Sequence, residues 1–212
     1  MLDLTGYQSE ETFGAPMRYF ILVLLIISQV ACVGSSKTRP NLATYDFGLA
    51  VQPNPDQRLI AKIGVEEITA AESLNYQQMR YRLNYENTSR ILFYADSRWS
   101  SAPPELLSSK LNTMLQLSQQ PLNCSLKLKL QVFDQVFTSP ATSEGVVQMS
   151  VVLVDKKTRK VLSTDLISAS VAATTPNAAG GASALSQASE NALVKAISWA
   201  NAQAEQNPLC HI

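Results

Sequence analysis

Apolar and polar residues alternate along several stretches of this chain, and a two-residue period is typical of strands that bury one face. The clearest examples are residues 126–132 and 147–153, in which every second residue is Leu, Val or Met. Phe133 breaks this phase before Asp134, which predicts a bulge. A charged turn over residues 155–160 leads into a third strand over Val161–Ala172, so the three strands are expected to form a meander.

Weaker alternation predicts further strands over residues 45–49, 59–68 and 79–85. Helical spacing replaces it from residue 103 to 119, a segment that opens with two prolines and an acid, as helix starts prefer. Residues 173–183 are mostly small, and Gly180 and Gly181 among them are interpreted as a hinge before a long closing helix. No regular alternation of strand with helix is present. The pattern therefore favours an α+β fold, a mainly antiparallel sheet with two helices packed on one face.

The N-terminal region has the order of a signal peptide. Arg18 precedes an unbroken apolar run over residues 19–27, and small or polar residues follow it. Nine apolar residues are too few to span a bilayer, which needs roughly 20 in a helix. Residues 1–16 carry three acids and no basic residue, the wrong charge before such a run. We therefore expect translation to start at Met17, the alternative being a genuine acidic extension.

Cys32 directly follows a small residue at the end of this segment, as in a lipoprotein signal whose cysteine is acylated and becomes the mature N-terminus. The predicted organisation is a signal peptide over residues 17–31, a lipidated tether over 32–41 and one domain over 42–212. Val33 stands where an Asp would indicate inner-membrane retention, so the periplasmic face of the outer membrane is favoured. An ordinary signal peptide with an incidental cysteine is the alternative.

The charge balance bears on the class of partner, and the cysteine content bears on a disulfide. The chain has 17 basic and 17 acidic side chains, so it lacks the basic surplus expected of a nucleic-acid-binding protein. Cys124 and Cys210 remain as an even pair in an oxidising compartment, which predicts a disulfide, with two buried free thiols as the alternative.

Catalytic and metal-binding patterns are missing from the sequence. The single histidine, His211, lies next to the C-terminal residue, and no metalloprotease, esterase, redox or phosphate-loop motif occurs. We predict a protein that is not an enzyme and that needs neither a cofactor nor a metal.

Four segments resemble one known family. They are residues 79–82 (MRYR), 92–107 (LFYADSRWSSAPPELL), 130–137 (LQVFDQVF) and the Gly-rich lead into a final helix that contains Trp199. In this order, behind a lipoprotein signal, they resemble the PqiC/YmbA-like ABC-type transport auxiliary lipoproteins, over residues 45–199. The resemblance implies a sandwich related to the N-terminal domain of TolB. It also implies a non-catalytic role beside MCE-type ABC transporters, which move lipids or hydrophobic solutes between the two membranes, and it leaves homo-oligomer formation open.

The expected partners are therefore an MCE-domain protein, the ABC transporter components and, through the lipid anchor, a membrane. Two other classes of function remain alternatives at this point. One is an envelope structural or assembly lipoprotein that holds a complex without handling lipid, and the other is a periplasmic hydrolase with an unrecognised site.

Arg98 and Trp99 lie between a predicted strand and the proline-started helix, a loop position where functional residues concentrate. Because Trp and Arg are over-represented among energetically important interface residues, the pair is a candidate contact for the partner or for a neighbouring subunit. The alternative makes Trp99 a core residue and Arg98 the partner of Asp96 or of a helix C-terminus.

Overall fold

A computed structural model describes residues 42–49 and 58–211, which belong to one compact unit, residues 41–212. The strands in these ranges are β1 (Ala43–Tyr45), β2 (Leu59–Ala61), β3 (Gly64–Val65), β4 (Thr69–Ala70), β5 (Gln78–Leu83), β6 (Leu92–Trp99), β7 (Leu115–Leu117), β8 (Cys124–Ser139), β9 (Thr142–Asp155) and β10 (Val161–Ala172). The α-helices are α1 (Pro103–Met114) and α2 (Ala178–Gln206), and the 3-10 helices are Glu72–Leu74 and Pro208–His211.

The strands with the strongest alternation form the centre of the sheet. β8 and β9 are antiparallel over nearly their whole length, and β10 continues the meander on the far side of β9. A register shift between Leu130 and Val132 places the bulge close to the predicted phase break, and it returns Phe133 to the buried side. The predicted meander is confirmed.

The main sheet has the order β1-β6-β5-β8-β9-β10. β3 and β4 also pair with β8, near the N-terminal end of that strand, whereas β5 pairs near its C-terminal end. The long ladders are antiparallel, whereas the short pairs β1 with β6, β5 with β8, and β3 and β4 with β8 are parallel. Separately, β2 and β7 form a two-stranded parallel sheet. The predicted α+β class, with two helices packed against a mainly antiparallel sheet, is confirmed.

Helix α2 packs on the sheet through a stripe of small residues. Ala188, Ala192, Ala196 and Ala200 are fully buried, so the helix approaches β9 and β10 closely. Gly145 of β9 marks the tightest point, because a Cβ there would lie 2.5 Å from the backbone nitrogen of Leu185. The close approach of helix and sheet therefore depends on the absence of a side chain at position 145.

Three sequence predictions need correction. Gly180 and Gly181 are not a hinge, because α2 begins at Ala178 and the Asn177 side chain caps it by accepting from the Gly180 N–H. Helix α1 ends at Met114 rather than residue 119, since residues 115–117 extend to pair with β2. The strands predicted over 45–49 and 59–68 are shorter and displaced, at β1 and at β2 and β3.

Candidate functional site

The structure separates the two neighbouring residues that were candidate partner contacts. Trp99 is 1% exposed and packs edge-on against Phe47 and Phe133, with ring centroids 6.0 and 5.4 Å away. A side chain buried in this way offers no surface to a partner, so the core alternative holds for Trp99. Arg98 is exposed, and its Nε lies 3.4 Å from Thr44 Oγ1 rather than at Asp96. Its role as a partner contact stays a prediction.

The cysteines fall into two groups. Cys32 lies outside the described residues, so its lipidation stays a prediction. The sulfurs of Cys124 and Cys210 are at bonding distance, 2.02 Å, and both residues are fully buried. The Asn123 N–H donates to the Cys210 carbonyl beside them. This pair ties the C-terminal 3-10 helix to the first residue of β8.

A groove of about 990 Å³ runs between helix α1 and residues 65–70, and we call it the α1 groove. Its lining residues are Val65, Glu66, Glu67, Ile68, Thr69, Ala70, Asn75, Pro104, Glu105, Ser108, Ser109, Leu111, Asn112 and Leu115. Ile68, Pro104 and Leu111 are buried and provide apolar surface, whereas Ser109 and Asn112 are exposed polar residues of the helix. Its size is within the range of ligand-binding clefts.

The charge of the α1 groove has one sign. Its lining includes Glu66, Glu67 and Glu105 and contains no Lys, Arg or His. Glu66 is engaged elsewhere, by Ser125 Oγ at 2.8 Å and by Arg159 at 3.3 Å. Glu67 and Glu105 are exposed, and within the described residues neither has an ion-pair partner. The groove therefore presents two carboxylates that remain available to a cationic group.

A second charged cluster lies on the sheet face that α2 does not cover. Asp134 is fully buried, with Arg80 Nε 2.8 Å from its Oδ1 and Arg82 Nε 2.6 Å from its Oδ2. Arg82 also donates to the Thr88 carbonyl, and Arg80 reaches the Ser73 carbonyl at 3.4 Å. The cluster thus joins β5, β8, the 3-10 helix Glu72–Leu74 and the loop between β5 and β6, and we interpret it as a structural feature.

A third polar group lies on the helix side of the sheet. Tyr94 donates to Gln135 Oε1 and Gln135 Nε2 donates to Ser143 Oγ, both at 2.8 Å. Burial, and then the neighbouring Tyr81 and Asp96, raise the pKa of Tyr94 to about 12. These side chains form a chain of neutral hydrogen bonds. The arrangement satisfies buried polar groups.

Further features of the described part of the chain bear on metal binding, acid–base chemistry and membrane insertion. No group of three or more His, Cys, Asp or Glu residues there could hold a metal ion. The ring of His211 lies 3.1 Å from the Glu205 carbonyl oxygen at the end of α2. No helix among the described residues is long and apolar enough to cross a bilayer.

The sequence did not predict the α1 groove, because its two walls, residues 65–70 and 104–115, are about 40 residues apart in the chain and meet only in the fold. Two local signals were present. Glu66 and Glu67 interrupt the alternation of a predicted strand, and Ser108, Ser109 and Asn112 form a polar face on a helix whose other face is apolar. Such signals indicate a surface but not which elements share it.

No family model matches the sequence, and no curated protein does. A crystal structure of a Xanthomonas campestris protein of family DUF330 matches with a TM-score of 0.63 at 13% identity, covering 77% of this chain and 98% of that chain. An uncharacterized protein matches with a TM-score of 0.49 at 14% identity, covering 74% and 95%. A third, described as "a putative lipoprotein from Caulobacter crescentus", has a TM-score of 0.30 at 16% identity, covering 48% and 75%. The first similarity shows a shared fold.

Proposed function

We propose that this chain is an exported lipoprotein, anchored by Cys32 to the periplasmic face of the outer membrane. It acts there as a non-catalytic auxiliary component of an MCE-type ABC transport system for lipids or other hydrophobic solutes. The anchor rests on the short apolar run and the cysteine behind it. The transport role rests on the family resemblance of four ordered segments.

The observation that carries the proposal is the shared fold with the DUF330 protein, which extends over 98% of that chain. A fold shared with a DUF330 protein is consistent with the PqiC/YmbA-like family that the four segments resemble. The similarity is structural, at 13% identity, so it supports the family through the fold alone.

The nature of the α1 groove favours a docking role over a cargo-carrying one. An acyl chain requires a continuous apolar lining, because each polar group that loses water without a new partner costs free energy. Eight of the 14 lining residues carry polar or charged side chains. We therefore assign the folded domain to protein contacts within the transport system rather than to the enclosure of a lipid.

The anchor can be tested by substitution. Cys32→Ser removes the sulfur that would receive the lipid, and we expect the variant to leave the membrane fraction or to remain unprocessed. Val33→Ser is the matched control, because it changes the next residue and keeps the cysteine. If Cys32→Ser still fractionated with the outer membrane at the mature size, lipid anchoring would be wrong.

An envelope scaffold that handles no lipid is the second candidate, and the polar lining of the groove favours it equally. The two functions differ in what surrounds the protein. Genes for an ATPase, a permease and an MCE-domain protein beside this one would support transport. Phospholipid that accumulates in the wrong membrane when the gene is deleted would do the same, whereas an unchanged lipid distribution would favour the scaffold.

A further inference from the structure

The α1 groove contains an unpaired edge of the main sheet. β3 and β4 pair with β8 on one side only, and within the described residues no strand lies on their other side. The N–H groups of Glu66 and Ala71 donate to the carbonyls of Leu126 and Leu130 in β8. Because backbone groups alternate in direction along a strand, those of Val65 and Ala70 point away from β8.

Helix α1 forms the opposite wall of this edge. Pro104, Ser108 and Leu111 recur along one side of the helix, and Leu115 follows them at the start of β7. All four line the same groove as residues 65–70. An open strand edge beside a helix is the arrangement in which peptide-recognition domains bind an extended segment by strand addition. The ligand class that matches alternating free N–H and C=O groups is another extended backbone.

The edge formed by β10 contrasts with the edge formed by β3 and β4. On β10, the Leu166 N–H already donates to the Asp165 side chain, and the Ser168 carbonyl accepts from Lys195 at 3.0 Å. Charged side chains of this kind are a means by which proteins protect an exposed edge. The β10 edge is therefore partly capped by side chains, whereas within the described residues no side chain donates to or accepts from the outward backbone groups of Val65 and Ala70.

We propose that the α1 groove binds an extended, basic segment of a partner protein, which adds as a strand to the outer edge of β3 and β4. Alternate residues of the segment would face Ile68 and Leu111 and are expected to be apolar. The residues between them would face the rim, where Glu67 and Glu105 select Lys or Arg. The inference adds a partner chemistry to the proposed docking role.

The test uses the mature chain with Cys32→Ser, residues 32–212, and a blocked eight-residue peptide of alternating Lys and Val. Amide NMR titration should show saturable shifts confined to residues 64–71 and 104–115, with slower hydrogen exchange at Val65 and Ala70. A peptide of alternating Glu and Val should not bind. A Lys-Val peptide N-methylated at alternate residues should lose binding, because it cannot complete the ladder.

Charge reversal supplies the matched variants. Glu67→Lys with Glu105→Lys should weaken binding of the Lys-Val peptide by about tenfold, because like charges then face each other at the rim. Both residues are exposed, so the fold is expected to tolerate the change. Glu86→Lys, an exposed acid in the loop between β5 and β6, is the control and should bind as the parent does.

Four results would overturn the inference. Three are the absence of saturable binding, shifts on the opposite sheet face instead of the groove, and equal binding of the acidic peptide. The fourth is stronger binding of the Lys-Val peptide after Lys37→Glu with Arg39→Glu, which would assign the groove to the chain's own tether instead of a partner segment. Any of these would leave the proposed transport role standing, because that role is tested through the anchor and the lipid distribution.

Discussion

The two faces of β9 differ strongly in how far their side chains are buried. Val147, Met149, Val151 and Leu153 are fully buried beneath α2, whereas Gln148 and Ser150, between them in sequence, are only half-buried on the other face. Helix packing thus concentrates the apolar contacts on one side of the sheet. A charged exception on the other side is Asp134, which is fully buried and paired with two arginines.

The largest effect is expected in the core on the helix side. Trp99→Ala removes a ring that contacts Phe47 and Phe133, and it should lower the free energy of unfolding by about 3–5 kcal/mol. Chemical denaturation measures this, with the exposed neighbour Arg98→Ala as a control that should change stability by less than about 0.5 kcal/mol. A stable Trp99→Ala variant would contradict the assignment of this residue to the core.

The exception on the other face gives the second prediction. Asp134→Ala leaves the guanidinium groups of Arg80 and Arg82 without their shared carboxylate, and the loss should be about 3 kcal/mol. Replacing all three by apolar residues of similar volume should recover much of that loss, since the desolvation of the charges disappears as well. If Asp134→Ala unfolded at the same denaturant concentration as the parent, the cluster would not be a structural feature.

The third prediction tests the close packing of α2 on β9. Gly145→Ala places a methyl group against the backbone of α2 at Leu185, so the helix must shift, and we expect a loss of about 1–3 kcal/mol. Gly48→Ala is not a suitable control, because its φ of +80° adds backbone strain. Ser150→Ala on the same strand is suitable, and it should be close to neutral.

The smallest effect is expected from the less covered face of β9. Gln148→Ala should change the free energy of unfolding by less than about 0.5 kcal/mol, although its neighbour Met149→Ala should cost about 2–5 kcal/mol. Thermal and chemical unfolding of the two variants provide the measurement. A comparable loss in both would mean that a further element covers the open face.

The features that could be predicted from the sequence are those with a local cause. The alternation over residues 126–132 and 147–153 defines the meander because each strand buries one face, and the alanine stripe defines α2. The parallel pairing of β5 with β8 and the burial of Trp99 depend on contacts between distant segments, which periodicity does not encode. Arg80 lies between apolar Met79 and Tyr81, an alternation that alone indicates a solvated side chain, but its pairing with Asp134 buries it.

The candidate site also combines features that have a local cause with features that depend on contacts between distant segments. The acids of the α1 groove and the polar side of α1 were visible as local irregularities, but their meeting required the fold. Gly180 and Gly181 were interpreted as a hinge, whereas both belong to the first turn of α2, which Asn177 caps. A side chain at position 181 would collide with that of Gln135, so the glycine allows the first turn of α2 to lie this close to β8.

We propose that this domain is a docking component of an MCE-type transport system, and capture of its neighbours tests this proposal most directly. The tagged, lipidated chain would be cross-linked in cells, purified from solubilised envelope and analysed by quantitative mass spectrometry, with Cys32→Ser as the unanchored control. We predict enrichment of an MCE-domain protein together with its permease and ATPase, and loss of that enrichment in the control. Enrichment of envelope assembly or cell-wall proteins, with no MCE-domain protein among them, would contradict the account.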